Sequence, residues 1–416
     1  MKYVLYFITT FSCSLASAQK LNTEKNIVYG KATDFKGRVL DLRFDITYSP
    51  KESKLPLIVF THGGEFSESS SKEEFLPFCN RLAEKGFVVA NVEYRRGLIP
   101  SFHNYKTELT KAVYRAEQDL LAAVRYLVFN ADRYRIDTSL VLVSGESAGA
   151  VVALFTAYVS QHDWKLFMPT LEAALGDLNS SGNDLPNKFS IKGIIGMWGG
   201  IVDTSFISAE EMRLQPALLF HSINDDIIPF EQASQPKAKY TLLQGSKDIA
   251  ARLKNNNGCY QLYYVREAGH SYGFSGDFIV NSISKFVTSL RDGKCSSLEA
   301  ENRERNITLS MFDSDDAAFP DEDDKIVKLK PELLHKYVGK YQLGKDAVST
   351  VAVEGNHLNA QSPDGEISEL YPLGKNVFIQ KKFNLRVEFT TDSLGNITGQ
   401  KVRLNKYKEY YFKKVE

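Results

Sequence analysis

The stretch LVLVSGESAGAVVALFTAYV, residues 140–159, decides the fold. Leu140 to Ser144 is a short unbroken apolar run, the pattern of a strand buried on both faces. Ala148 to Val159 continues as a helix. Between them, Gly145-Glu146-Ser147-Ala148-Gly149 leaves room only for a tight strand-to-helix turn. A serine on such a turn is held in strained backbone geometry with its hydroxyl exposed, and the flanking glycines let the turn close without side-chain clashes. The start of the helix brings unpaired N–H groups close to any developing negative charge. The five-residue pattern alone would arise by chance on the order of 0.1 times in a chain of this length. The strand before it and the helix after it give it weight.

The same grammar extends outward on both sides. Upstream, residues 27 to 47 alternate apolar and polar around an Asp34-Phe35-Lys36-Gly37 turn and read as a hairpin. Buried strands are predicted at Leu55–Thr61 and Gly86–Tyr94, with helices at Phe75–Lys85 and Lys106–Asn130. Downstream, strands are predicted at Ile191–Met197, Pro216–His221 and Tyr260–Val265, with helices at Lys247–Leu253 and Asp277–Leu290. Buried strands alternating with helices predict an α/β fold, a mostly parallel sheet covered on both faces. Residues 160 to 190 interrupt the alternation with aromatics (Trp164, Phe167) and a polar stretch, and read as an insertion capping the site.

A serine hydroxyl needs a base to become a nucleophile. On this kind of sheet the partners follow in the order serine, acid, histidine. His270 follows a predicted buried strand, in Ala268-Gly269-His270-Ser271. Asp225 and Asp226 follow the strand ending at His221, and either can orient His270. His62-Gly63-Gly64-Glu65 follows the first buried strand. Its small residues let backbone N–H groups face a carbonyl oxygen, so Gly64, Glu65 and Ala148 are the candidate oxyanion donors. His62 and His221 read as structural residues at strand ends. Glu146 reads as a structural acid behind the turn.

At this point residues 55 to 290 resemble the α/β-hydrolase fold, in its carboxylesterase and hormone-sensitive-lipase-like branch. The carrying motifs are His62-Gly63-Gly64, Gly145-Glu146-Ser147-Ala148-Gly149, the Asp225 segment ending in Pro229, and Gly269-His270. The resemblance implies Ser147 as nucleophile, His270 as base and Asp225 as acid, the last because it lies four residues before Pro229. It also implies cleavage of carboxylic esters through an acyl-enzyme, with no cofactor and no metal. One departure is Glu65, where many relatives carry a third glycine. A prolyl-oligopeptidase type of peptidase uses the same triad, but no repeat array that would build a propeller precedes the sheet. A binding protein that kept the fold and lost catalysis is the third reading, and every triad member has a candidate here.

The remaining segments set the context. Of 416 residues, 43% are hydrophobic and 25% charged, which excludes a wholly disordered or fibrous chain. Lys and Arg total 51 and Asp and Glu total 51, so no global field favours nucleic acid or an anionic membrane. No run of 18 apolar residues offers a transmembrane helix. Lys2, the apolar Tyr3–Leu15 run and Ala16-Ser17-Ala18 read as a signal peptide over residues 1–18, predicting export to a periplasm or medium. Three cysteines then remain, and Cys259 with Cys295 is the expected pair. The domains expected are a hydrolase unit over 19–295, a polar acidic linker over 296–330, and a small antiparallel β-domain over 331–416. The last resembles β-domains appended to some serine hydrolases, through Tyr337-Val338-Gly339-Lys340-Tyr341. The expected partner is a small ester, free or carried on a polymer. The oligomeric state is not legible.

Overall fold

The computed structural model describes residues 21–50, 53–68, 70–97, 105–236, 238–240, 242–266, 268–271, 273–303, 326–343, 347–361, 367–380, 385–405 and 408–415. The signal-peptide segment and the acidic run at 313–324 lie outside the described residues.

Among the described residues, eleven strands belong to the first unit: β1 (Asn22–Thr33), β2 (Val39–Tyr48), β3 (Leu55–Thr61), β4 (Val88–Val92), β5 (Ile136–Glu146), β6 (Ile191–Met197), β7 (Gly200–Ile201), β8 (Ala217–Ser222), β9 (Gln244–Gly245), β10 (Tyr260–Val265) and β11 (Leu298–Glu301). Nine of them form one sheet in the order β1-β2-β4-β3-β5-β6-β8-β10-β11, and β7 pairs with β9 in a small separate ribbon. The β1–β2 hairpin and the β2–β4 pair are antiparallel, and every later pairing is parallel. This strand order, with its antiparallel start and parallel remainder, is the α/β-hydrolase fold. The apolar runs explain it: β3 and β4 expose no residue, because helices cover both faces of the sheet.

Strand β5, which runs into the Ser147 turn, lies at the middle of the sheet, and the helix after it, Ala148–Tyr158, is buried at every position. Its sequence has no polar face because it has no solvent face. The long Tyr105–Phe129 helix packs against it, with Leu120, Val124 and Leu127 wholly buried.

One predicted boundary changes. Residues 298–301 are not linker: they form β11, paired in parallel with β10. The segment reads as polar because an edge strand keeps one side in water. Tyr260 and Lys247 both bond to Glu299, tying the edge down. Cys259 and Cys295 are disulfide-bonded just ahead of these two neighbouring strands, while Cys79 is free and buried. The C-terminal unit is the small antiparallel β-domain expected, and it is closed. Eight strands between Gly339 and Lys414 close into an antiparallel barrel, the first pairing with the last through Tyr341 and Lys414. Closure removes the exposed strand edges. Its inside is filled by Tyr337, Tyr341, Phe378, Phe389 and aliphatic neighbours.

Candidate active site

Ser147 joins β5 to its helix at φ 51° and ψ −120°, left-handed backbone that a non-glycine residue adopts at a cost of about 1–3 kcal/mol. Close contacts hold it there. A side-chain carbon on Gly145 would lie 2.3 Å from the Gly149 carbonyl, and one on Gly149 would lie 2.1 Å from the Thr61 carbonyl oxygen. The Thr61 hydroxyl sits 2.9 Å from the carbonyl oxygens of both Ser144 and Gly149, pinning the end of β3 to the turn. The Ser147 N–H donates to Met197 at the end of β6, 2.8 Å away. The turn is therefore tied to both neighbouring strands.

Three side chains from three strand ends meet there. The Ser147 hydroxyl donates to His270 Nε2 at 2.7 Å. His270 Nδ1 donates to Asp225 Oδ2, also at 2.7 Å. Asp225 follows β8 and His270 follows β10. Asp225 is fully buried, and its Oδ1 accepts the N–H groups of Ile227 at 2.9 Å and Ile228 at 3.0 Å. Burial pushes its carboxyl up, but hydrogen bonds from His221 and His270 outweigh that and hold it well below the usual carboxylate range. Burial pulls the His270 imidazole down, but its hydrogen bond to Asp225 and the charges of Asp225, Glu146 and Glu65 win, leaving it above its ordinary value. Asp226, the other acid left open by the sequence, is exposed, and its backbone carbonyl accepts from Lys239.

The loop after β3 supplies the surface facing the serine. Gly64, Glu65 and Phe66 all have positive φ, at 107°, 56° and 58°. His62 is buried and stacked on Tyr94 with ring centroids 4.6 Å apart. The His62 Nδ1 lies 2.8 Å from the Gly63 carbonyl oxygen, and the Tyr94 hydroxyl donates to the His62 carbonyl. It orders the loop. Of the candidate oxyanion donors, Glu65 and Ala148 line one cleft with Ser147; Gly64 lies one residue back, its α-carbon backed against Ser70. Ala148 opens its helix, where the N–H has no partner within the helix. The Glu65 carboxylate is paired with Lys239 Nζ at 2.7 Å, which offsets its negative charge at the cleft.

The cleft is a partly open concavity. Beyond Ser147 it is walled by Leu109, Val113, Val151, Phe155, Trp164 and Phe167, with Lys106 and Lys239 also on its lining. Trp164 and Phe167 belong to the helix Gln161–Phe167, so the first half of the predicted insertion does border the site. Trp164 stacks on Phe155 and donates to Glu117, 2.7 Å away. Burial holds that carboxyl well above its usual range. The second half of the insertion runs elsewhere: Ser181 and Asn183 bond to Arg125, and Gly182 pairs with Lys31 of β1.

Two contacts were not foreseen from the sequence. Glu146 bonds to the hydroxyl of Ser271, anchoring the residue after His270. His221 reaches Asp225, which only its position four residues earlier on the same chain end could have suggested.

Comparison with known proteins adds the following. The profile of the BD-FAE family matches residues 44–213, a span that contains Ser147 and the His62–Gly64 loop and stops before Asp225 and His270. Neutral cholesterol ester hydrolase 1 of Rattus norvegicus is 29% identical over 170 residues, 39% of this chain and 33% of that protein. Gut esterase 1 of Caenorhabditis elegans is 29% identical over 110 residues, 26% of this chain and 19% of that protein. The chain thus spans about a fifth to a third of the length of these curated relatives. Among solved structures, esterase 2 of Thermogutta terrifontis phosphorylated by paraoxon aligns with a TM-score of 0.46 and 19% identity, over 67% of this chain and 97% of that one.

Proposed function

We propose that this chain is an exported serine hydrolase that cleaves carboxylic esters. The observation that carries the reading is the continuous Ser147–His270–Asp225 chain, 2.7 Å at each link, opening onto an apolar cleft. Ser147 Oγ attacks the ester carbonyl carbon as His270 Nε2 takes its proton. Asp225 holds the imidazole in the tautomer that leaves Nε2 free and stabilises the imidazolium that forms. The carbonyl oxygen, now an oxyanion, lies against the Ala148 N–H and those of the Gly64–Glu65 loop. His270 then returns its proton to the leaving alcohol, and the acyl group stays on Ser147. A water molecule, deprotonated by the same imidazole, releases the acid and restores the serine.

The cleft walls favour an ester with an apolar acyl or alcohol group, since burying such a group gains about 25 cal/mol per Å². The bond between Cys259 and Cys295 supports export, because disulfides persist in oxidising compartments.

The test is labelling of the mature protein with a fluorophosphonate, followed by peptide mass spectrometry. Adduct on Ser147, lost in His270→Ala, is the expected result. A folded protein that takes no adduct, or takes it elsewhere, overturns the reading.

A further inference from the structure

His221 is wholly buried at the end of β8, and the mechanism above does not use it. Its Nε2 lies 3.1 Å from Asp225 Oδ2 and 3.1 Å from the carbonyl oxygen of Ile228. Both of those atoms offer only lone pairs, so the proton of a neutral ring sits on Nε2. Its Nδ1 lies 2.8 Å from the Ser246 hydroxyl, which can donate to it. The imidazole is therefore satisfied at both nitrogens without carrying a charge. Asp225 in turn has four donors: two backbone N–H groups on Oδ1, and both His221 and His270 on Oδ2.

We propose that His221 is a positioning residue for the reaction at Ser147, acting as a second imidazole donor that fixes Asp225 and shares its charge with His270. The proposal rests on the ester-hydrolase reading of the site. Two backbone donors on Oδ1 hold one oxygen, and His221 fixes the other in the plane that His270 must meet. His221 also competes for the same oxygen. Without it, the whole charge of Oδ2 falls on His270, whose protonated form is then stabilised further. His270 itself stays in place, because Ser271 remains bonded to Glu146. The charged groups bearing on the pair are Asp225, Glu146 and Glu65 around His270, and Asp225 and Asp248 around His221.

The experiment compares the wild type with His221→Phe, which removes the donor, and His221→Gln, whose amide nitrogen takes the place of Nε2. Folding is followed by circular dichroism, and p-nitrophenyl ester hydrolysis by kcat/KM against pH. The expected outcome for His221→Phe is a fall in kcat on the order of tenfold, far short of the roughly 10⁴-fold known for neutralising a triad aspartate, with KM nearly unchanged. The acid limb of its profile moves to higher pH, and His221→Gln restores both values. A fall in activity with an unmoved limb overturns the proposal and leaves His221 a packing residue. A second readout is independent of turnover: histidine ¹⁵N NMR on Ser147→Ala. The His221 proton is expected on Nε2, and His221→Phe in that background raises the His270 pKa. A His221 found protonated on Nδ1, or an unshifted His270, sinks the proposal even if no ester is turned over. Absent turnover with the NMR shift intact sinks only the substrate reading.

Discussion

Asp225 Oδ2 lies 2.7 Å from His270 Nδ1, whereas Asp226, next in the chain, faces solvent. Two adjacent carboxylates thus have unequal prospects. Asp225→Asn keeps the shape but allows the wrong imidazole tautomer, so kcat should fall by about 10⁴-fold. Asp226→Asn should change kcat by less than about threefold, the range of an exposed surface substitution. Steady-state kinetics on both variants decides between them, and the reverse ranking would move the acid to Asp226.

The pH dependence follows from His270. The base must be neutral to accept the serine proton. Its pKa is raised above the ordinary value by Asp225, then Glu146 and Glu65, against the pull of burial. Activity is therefore present at higher pH and lost as pH falls through the raised pKa. The acid limb of kcat/KM should lie above about 6.5, the unperturbed histidine value. A limb below that value contradicts the electrostatics described.

Glu65 and Lys239 form an ion pair with both partners roughly half exposed. Such pairs contribute little stability, about 0–1 kcal/mol. Their effect should appear in kcat. Lys239→Met leaves the Glu65 carboxylate unpaired on the cleft wall, and should lower kcat by up to about fivefold, the equivalent of the top of that energy range. Adding Glu65→Gln should recover the loss. A double-mutant cycle for ester hydrolysis measures this coupling, and simple additivity would show that Glu65 does not bear on the oxyanion.

Trp164 is buried beside the cleft, stacked on Phe155 and bonded to Glu117. Trp164→Ala should destabilise the protein by about 3–5 kcal/mol, the usual cost of deleting a buried aromatic. It also removes part of the apolar wall. KM should rise for esters with long or aromatic apolar groups and change little for an acetate. Urea denaturation and a paired substrate series test both parts.

The glycines around Ser147 offer a backbone test. Gly149→Ala puts a methyl carbon 2.1 Å from the Thr61 carbonyl oxygen, with backbone on both sides. Neither can yield without moving β3 against the turn. A loss of about 1–3 kcal/mol is expected, together with a larger fall in kcat than the stability change explains. Thermal unfolding with kinetics on the remaining folded fraction separates the two effects.

What the sequence determined by itself is the local grammar. The apolar runs at Leu55–Thr61 and Leu140–Ser144, and the helix without a polar face after Ser147, are short-range patterns. A strand buried on both faces must be apolar throughout, so these were readable wherever they stood. The turn at Gly145–Gly149 was equally legible, because its glycines answer to backbone crowding within a few residues. Only the tertiary structure decided contacts between distant segments. It separated Asp225 from Asp226, since the difference lies in which carboxylate the β8 end turns toward a loop 45 residues later. It paired Glu65 with Lys239 across 174 residues and gave Asp225 its fourth donor in His221. It drew Leu298–Glu301 into the sheet, where strand pairing with Tyr260–Val265 overrides a polar sequence of low strand propensity. It also closed the C-terminal strands into a barrel. Closure depends on the register between the first strand and the last, and no window of neighbouring residues carries that information.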